Sequence, residues 1–179
     1  MEFIRIQSID NIYTDELIKL YLESFPENQR RSVSEFKALL GSDDRFHCNA
    51  VLLNNELVAF YNYWDFEDFY FVEHLALEPP LRGYKLGEKI INLVRKNLNL
   101  PLVLEVEPID ASEWGSRRIE FYHRLGFQII PQKYKQPPYR KGDNFILLHL
   151  MCDYPEFAEE NFENIKEIIY KNVYRVGSE

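Results

Sequence analysis

The 179-residue sequence predicts a single α+β domain: a mixed, mostly antiparallel central sheet of about seven strands, flanked by helices, with an additional C-terminal helix over 155–174. Three observations predict it. Residues 46–77 carry three apolar runs separated by short polar turns, the pattern of a strand meander. The middle of the chain then alternates strand, helix and strand, which requires a crossover. Finally, hydrophobic residues make up 46% of the chain, with 13 Phe and 12 Tyr, enough for one full core, and no linker or repeat divides it.

The elements follow in order. Phe3-Ile4-Arg5-Ile6 reads as a short opening strand. Leu17, Ile18, Leu20, Tyr21 and Phe25 fall at helical spacing; Asp10 or Thr14 is expected to cap that helix and Pro26 to end it. FPENQRRS is a polar loop. Ser32 or Ser34 caps a second short helix through Leu40, closed by Gly41. FHCNAVLL (46–53) and ELVAFYNYW (56–64) are strands joined at Asn54-Asn55, a pair that tolerates positive φ. After the polar turn DFED, FYFVEHLAL (69–77) is the third strand of the meander. Ile90, Ile91, Leu93, Val94 and Leu98 pattern an amphipathic helix from Leu86, and Pro101 stops it. LVLEVE (102–107) is a buried strand. PIDASEWGS leads to RRIEFYHRLGF, a helix patterned by Ile119, Phe121, Tyr122 and Leu125, with Gly126 as its left-handed terminator. FQII and NFILLHLM supply the last strands. From Pro155 to Val173 acids crowd the first turns and bases the last, in line with the helix dipole.

Composition excludes several function classes. With 29 acidic and 21 basic residues the formal charge is −8, unlike a nonspecific nucleic-acid binder, which needs a basic face. No run approaches the ~18 consecutive apolar residues of a membrane span. MEFIRIQSID lacks the basic and apolar regions of a signal peptide. Cys48 and Cys152 match no metal or redox spacing, so a cytoplasmic protein is expected, and no metal site.

Residues 77–90, LEPPLRGYKLGEKI, concentrate the chemistry. Two of only seven glycines, Gly83 and Gly87, sit four apart where a strand runs into a helix. The first N–H groups of a helix are unpaired and carry partial positive charge, and glycine lets a ligand approach the backbone closely. Arg82, Lys85 and Lys89 add cations in an otherwise acidic chain. A diphosphate cradle accounts for these features together; a plain strand-to-helix connection is the alternative.

The spacing goes further. RGYKLG resembles the Arg/Gln-x-x-Gly-x-Gly/Ala signature with which the GNAT N-acetyltransferase superfamily grips the pyrophosphate of coenzyme A. LEVE followed by RRIEFYHRLGF resembles that family's fifth strand and its Phe-Tyr-x-x-Leu-Gly-Phe helix, and the element order agrees over roughly residues 1–151. Lys85 replaces the middle glycine of the signature, and Gly115 and Arg118 stand where the family often has Asn and Ala.

The resemblance implies transfer of an acetyl group from acetyl-CoA, the acyl-donor cosubstrate, to a primary amine of a small molecule or peptide, by direct attack in a ternary complex and without metal. It implies that Leu75, Ala76 and Leu77 offer main-chain groups to pantetheine, and that Arg82, Gly83, Tyr84, Lys85, Leu86 and Gly87 hold the pyrophosphate. Tyr122 matches the tyrosine that faces the coenzyme sulfur as general acid. For the base, Glu105 matches a glutamate used by some relatives and Glu73 lies on the strand entering the cradle, with Glu107 as a third candidate; a strand carboxylate is costly unless paired or facing a cleft. His74 and Glu73 alternate and are expected on opposite faces. His47, His123 and His149 read as structural.

The acceptor side is expected from FPENQRRS, DFED, PIDASEWGS and QKYKQPPYRKGDN. Asp65, Glu67 and Asp68 can attract an ammonium while Tyr61, Tyr63, Trp64 and Trp114 stack on it, or they can be a solvated acidic turn beside core aromatics. The last helix, with Phe157, Phe162, Ile165, Ile168, Ile169 and Val173, either docks a partner or packs on its own sheet or in a homodimer. An acetyl-CoA-binding sensor or interaction module without turnover is the alternative function.

Overall fold

A computed structural model describes residues 1–112 and 115–176. These divide into two compact units, Met1–Glu67 with Val72–Asn97, and Asp68–Phe71 with Leu98–Glu179.

In the first unit, β1 (Glu2–Arg5), β2 (Phe46–Leu53), β3 (Glu56–Asp65) and β4 (Tyr70–Leu77, from Val72 onward) lie side by side in sequence order. β1 runs antiparallel to β2, and β2 to β3, with Ala50 opposite both Ile4 and Phe60. The β2–β3 turn forms at Asn54 (φ 53) and Asn55 (φ 66), the two consecutive left-handed residues a tight hairpin demands. Three helices belong to this unit: α1 (Thr14–Ser24), α2 (Val33–Leu39) and α3 (Leu86–Asn97). Ser32 caps α2 in a reciprocal capping box with Glu35, which satisfies two otherwise orphaned donors. At α1 the expectation fails. The residue before the helix is Tyr13, with no side-chain cap, and Thr14 instead donates its hydroxyl to the Ser8 carbonyl at 3.2 Å. Tyr21, Phe36, Phe60 and Trp64 are among the fully buried side chains, and Tyr21 packs on Phe36 with ring centroids 4.6 Å apart. Burying each such side chain contributes about 1.5–3 kcal/mol.

In the second unit, β8 (Ile146–Cys152) is central. β5 (Leu102–Val106) pairs with it antiparallel, Leu104 opposite Met151. Two short strands, β6 (Gln128–Ile129) and β7 (Tyr134–Gln136), also pair antiparallel with successive stretches of β8. β7 was not expected from the sequence, and it brings the described strands to eight. α4 (Gly115–Arg124) ends in a Schellman turn: Gly126 (φ 89) donates to the His123 carbonyl and Phe127 to that of Tyr122. The expected single C-terminal helix is two, α5 (Pro155–Glu160) and α6 (Phe162–Asn172). Asn161 divides them at φ −110 and ψ 15, where its side-chain amide takes the Phe157 carbonyl at 2.8 Å. Asparagine competes for backbone acceptors in this way and weakens a helix interior. Phe162, Ile165, Ile169 and Val173 are buried, so most of the expected apolar face is spent on this unit's own core. Among the described residues no helix is long and apolar enough to cross a membrane.

Candidate functional site

The turn opening α3 is built by local geometry. Pro79–Leu81 make one 3-10 turn. Gly83 then takes φ 88 and Lys85 φ 58, so the chain adopts left-handed backbone twice in three residues before the helix begins. Left-handed backbone costs a residue with a Cβ about 1–2 kcal/mol. This explains why a glycine would stand at 85, and shows that Lys85 holds that conformation without one. Arg82, Gly83, Tyr84 and Lys85 are all exposed, and a Cβ built on Gly83 meets nothing within 4 Å. The Lys85 carbonyl accepts the first helical bond, from Lys89. The N–H groups of Leu86, Gly87 and Glu88 therefore precede any intrahelical acceptor. Arg82 folds back, its Nε donating to the Leu77 carbonyl at 3.2 Å. On β4, Ala76 is buried while Leu75 and Leu77 are partly exposed. The geometry is that of an open, cation-lined helix N-terminus suited to an oxyanion.

Glu73 and His74 lie on the same strand. Glu73 pairs with Arg31, its side chain fully buried against a guanidinium 9% exposed, and its other oxygen accepts the Trp64 indole N–H at 2.7 Å. His74 is 3% exposed. Its Nε2 lies 3.2 Å from the Gln29 carbonyl, which can only accept, so the proton is assigned to Nε2 and Nδ1 accepts from Asn62 Nδ2 at 3.4 Å. Burial, above all, pushes its pKa down to about 3; the Gln29 carbonyl opposes and the Arg31 charge assists. His74 is thus a neutral ring, and its 3.8 Å approach to Glu73 is not an ion pair. The two side chains, expected on opposite faces, converge on residues 29–31.

In the second unit, Glu105 on β5 is gripped by three donors. Tyr134 Oη donates to Oε1, while Gln136 Nε2 at 3.0 Å and Tyr174 Oη at 2.7 Å donate to Oε2. Burial first, and the Glu105 charge second, hold both tyrosine hydroxyls well above their ordinary pKa, so they remain donors. Tyr122 lies half-buried on α4, edge-on to Phe127 at 5.5 Å. Burial of its hydroxyl raises the pKa to about 12, with Arg118 pulling the other way. Glu107 accepts from Ser112 Oγ at 2.8 Å and from Arg118 at 3.1 Å, so Arg118 has a structural partner. Gly115 has a physical reason too: a Cβ there would lie 2.5 Å from the Pro108 carbonyl oxygen, so the first turn of α4 approaches residues 108–109 too closely for asparagine.

The proposed acceptor aromatics are less available. Tyr61 and Tyr63 are each 8% exposed and Trp64 1%; Tyr63 stacks on His47 at 4.6 Å. Glu67 and Asp68 are exposed, Asp65 partly. Trp114 lies outside the described residues. A surface cavity at the α5–α6 junction, lined by Gln132, Glu159, Asn161 and Phe162 among others, includes none of the expected catalytic or coenzyme-binding residues. Sequence reasoning placed Arg31, Tyr134 and Gln136 only inside the expected acceptor segments FPENQRRS and QKYKQPPYRKGDN, with no carboxylate partner assigned, and missed Tyr174. Only the alternation of Tyr134 and Gln136 about Lys135 offered a signal, that of a strand with one face turned inward.

Comparison with known proteins bears on the family and the fold. The acetyltransferase (GNAT) family model matches residues 7–127. A solved structure described as "Putative acetyltransferase from GNAT family from Bacteroides thetaiotaomicron" is 34% identical, with a TM-score of 0.92 over 98% of this chain and 99% of that one. A Bacillus subtilis (strain 168) protein, "Putative acetyltransferase YjbC", is 32% identical over 108 residues, 59% of this chain and 53% of that protein; the match thus spans about half its length. An aminoglycoside 6'-N-acetyltransferase complexed with coenzyme A shares the fold, with a TM-score of 0.61 at 17% identity over 85% of this chain and 96% of that one.

Proposed function

The chain belongs to the GNAT acetyltransferase family, and from that premise we propose that it transfers the acetyl group of acetyl-CoA to a primary amine by direct attack in a ternary complex. The observation that supports this best is the open turn at Arg82–Lys85, exposed throughout and carrying two left-handed residues just before the unpaired N–H groups of α3. In this reading residues 82–87 hold the pyrophosphate and the main chain at Leu75, Ala76 and Leu77 pairs with pantetheine. Binding energy collected far from the thioester then orients the reacting carbon.

The reaction needs the acceptor as a free amine, since an ammonium near pKa ~10 has no lone pair. Its nitrogen attacks the thioester carbon, the oxyanion collapses, the C–S bond breaks and the coenzyme leaves as a thiolate. Glu73 is committed to Arg31 and Trp64, which favours Glu105 as the carboxylate that takes the amine's proton. Protonation there need not strand its partners, because a tyrosine hydroxyl can turn from donor to acceptor. Tyr122 is the proposed acid. A hydroxyl at about 12 is a weaker acid than a thiol near ~8.5. Its first contribution is therefore a hydrogen bond to sulfur as charge develops, with transfer completed as the sulfur too is desolvated.

The acceptor is proposed to be a small molecule or peptide amine. The protein named in the coenzyme A complex acts, by its name, on aminoglycosides, and at that identity nothing about this acceptor follows. Calorimetry with acetyl-CoA, followed by a thiol-release screen across amines, tests the proposal. Saturable binding with amine-dependent release is expected. Absence of acetyl-CoA binding overturns it, and binding without release by any amine moves the reading to a coenzyme sensor.

A further inference from the structure

Residues 26–32 connect α1 to α2 and contain one 3-10 turn, Glu27–Gln29, too little regular structure to fix itself. The segment is instead tied at three points to buried groups. The Arg31 N–H donates to Tyr21 Oη at 2.8 Å. The Gln29 carbonyl accepts from His74 Nε2 at 3.2 Å. The Arg31 guanidinium pairs with Glu73 and lies over the Trp64 ring, 5.8 Å from its centroid.

From these contacts we infer that Glu73 is the buried anchor of the α1–α2 segment rather than a proton acceptor, so that Arg31, Glu73 and Trp64 hold residues 26–32 as a preformed wall. That this wall faces the acceptor rests on the acetyltransferase reading above; the anchoring does not. Both carboxylate oxygens are engaged, Oε1 by Arg31 and Oε2 by Trp64. A proton arriving on Glu73 would leave a guanidinium buried beside a neutral acid, and removing one member of a buried pair is far costlier than replacing both by apolar groups. A base that must break its own fastening at every turnover is poorly suited to the task. The same pair makes an effective positioning device, because buried charges tolerate few geometries.

Hydrogen exchange read by mass spectrometry at pH 7 tests this without any acceptor. In Glu73→Gln, the amides of residues 27–32 are expected to exchange about tenfold faster or more, while those of β2 keep their wild-type rates. In the charge-free pair Arg31→Met with Glu73→Leu, exchange in that segment should return to within about threefold of wild type, a rescue that a proton-transfer role would not produce. Arg31→Lys keeps the charge but loses the planar fork; it should give an intermediate acceleration, and it decides the matter if Glu73→Gln does not fold. Wild-type exchange rates at 27–32 in the single variants, or no rescue in the pair, overturn the inference. Acetyl-CoA calorimetry on the unaltered protein separately judges the transferase reading.

Discussion

Replacing His74 with glutamine should flatten the dependence of stability on pH between 7 and 5. In the fold the ring is edge-on to Tyr21 and Phe25, with centroids 5.0 and 4.4 Å away. It carries its proton on Nε2 toward Gln29 and has no room for a second charge beside Arg31. Its pKa falls from 6.5 to about 3. The sign follows from linkage: below pH 6.5 the unfolded chain takes up a proton that the folded chain refuses, so stability is complete above 6.5 and falls until about pH 3. At about 1.4 kcal/mol per unit, this one residue removes roughly 2 kcal/mol between pH 7 and 5, and roughly 4 kcal/mol by pH 3. Glutamine retains a donor for the Gln29 carbonyl and does not titrate. Urea unfolding at pH 7 and 5 is the assay. The wild type should lose about 2 kcal/mol more than His74→Gln across the interval, and equal losses would refute the neutral, buried assignment.

Tyr122→Phe should preserve acetyl-CoA affinity while lowering turnover by about 10²–10⁴-fold, the usual weight of a general acid; unchanged turnover in a thiol-release assay rejects the role. Gly115→Ala places a methyl 2.5 Å from the Pro108 oxygen, and should cost about 1–3 kcal/mol in denaturant unfolding as α4 is pushed outward. Lys85→Gly removes left-handed strain at φ 58 and should raise stability by about 1 kcal/mol, yet weaken acetyl-CoA binding and its salt dependence through the lost cation.

Much of this was legible in the sequence because the signals are local. Paired asparagines demanded the β2–β3 turn, a serine cap at Ser32 or Ser34 announced α2, and Gly126 closed α4 where a left-handed residue was needed. The open strand-to-helix turn at 82–87 was legible for the same reason, since its glycines and the unpaired helix donors fall within six residues. The surroundings of the carboxylates were not. Arg31 meets Glu73 across 42 positions and Tyr174 meets Glu105 across 69, and no local period encodes a contact of that span. Asn161 broke a helix whose apolar and charged pattern ran on through it. The departures from the family signature became intelligible only with coordinates: Gly115 answers a close backbone approach, Arg118 pairs with Glu107, and Lys85 accepts the strained conformation.

A crystal soaked with acetyl-CoA tests the central claim most directly. Pyrophosphate oxygens within about 2.7–3.2 Å of main-chain N–H groups between Arg82 and Gly87, the span of ordinary hydrogen bonds, are the predicted result. A bound coenzyme whose pyrophosphate sits elsewhere, with that turn left in solvent, would contradict it.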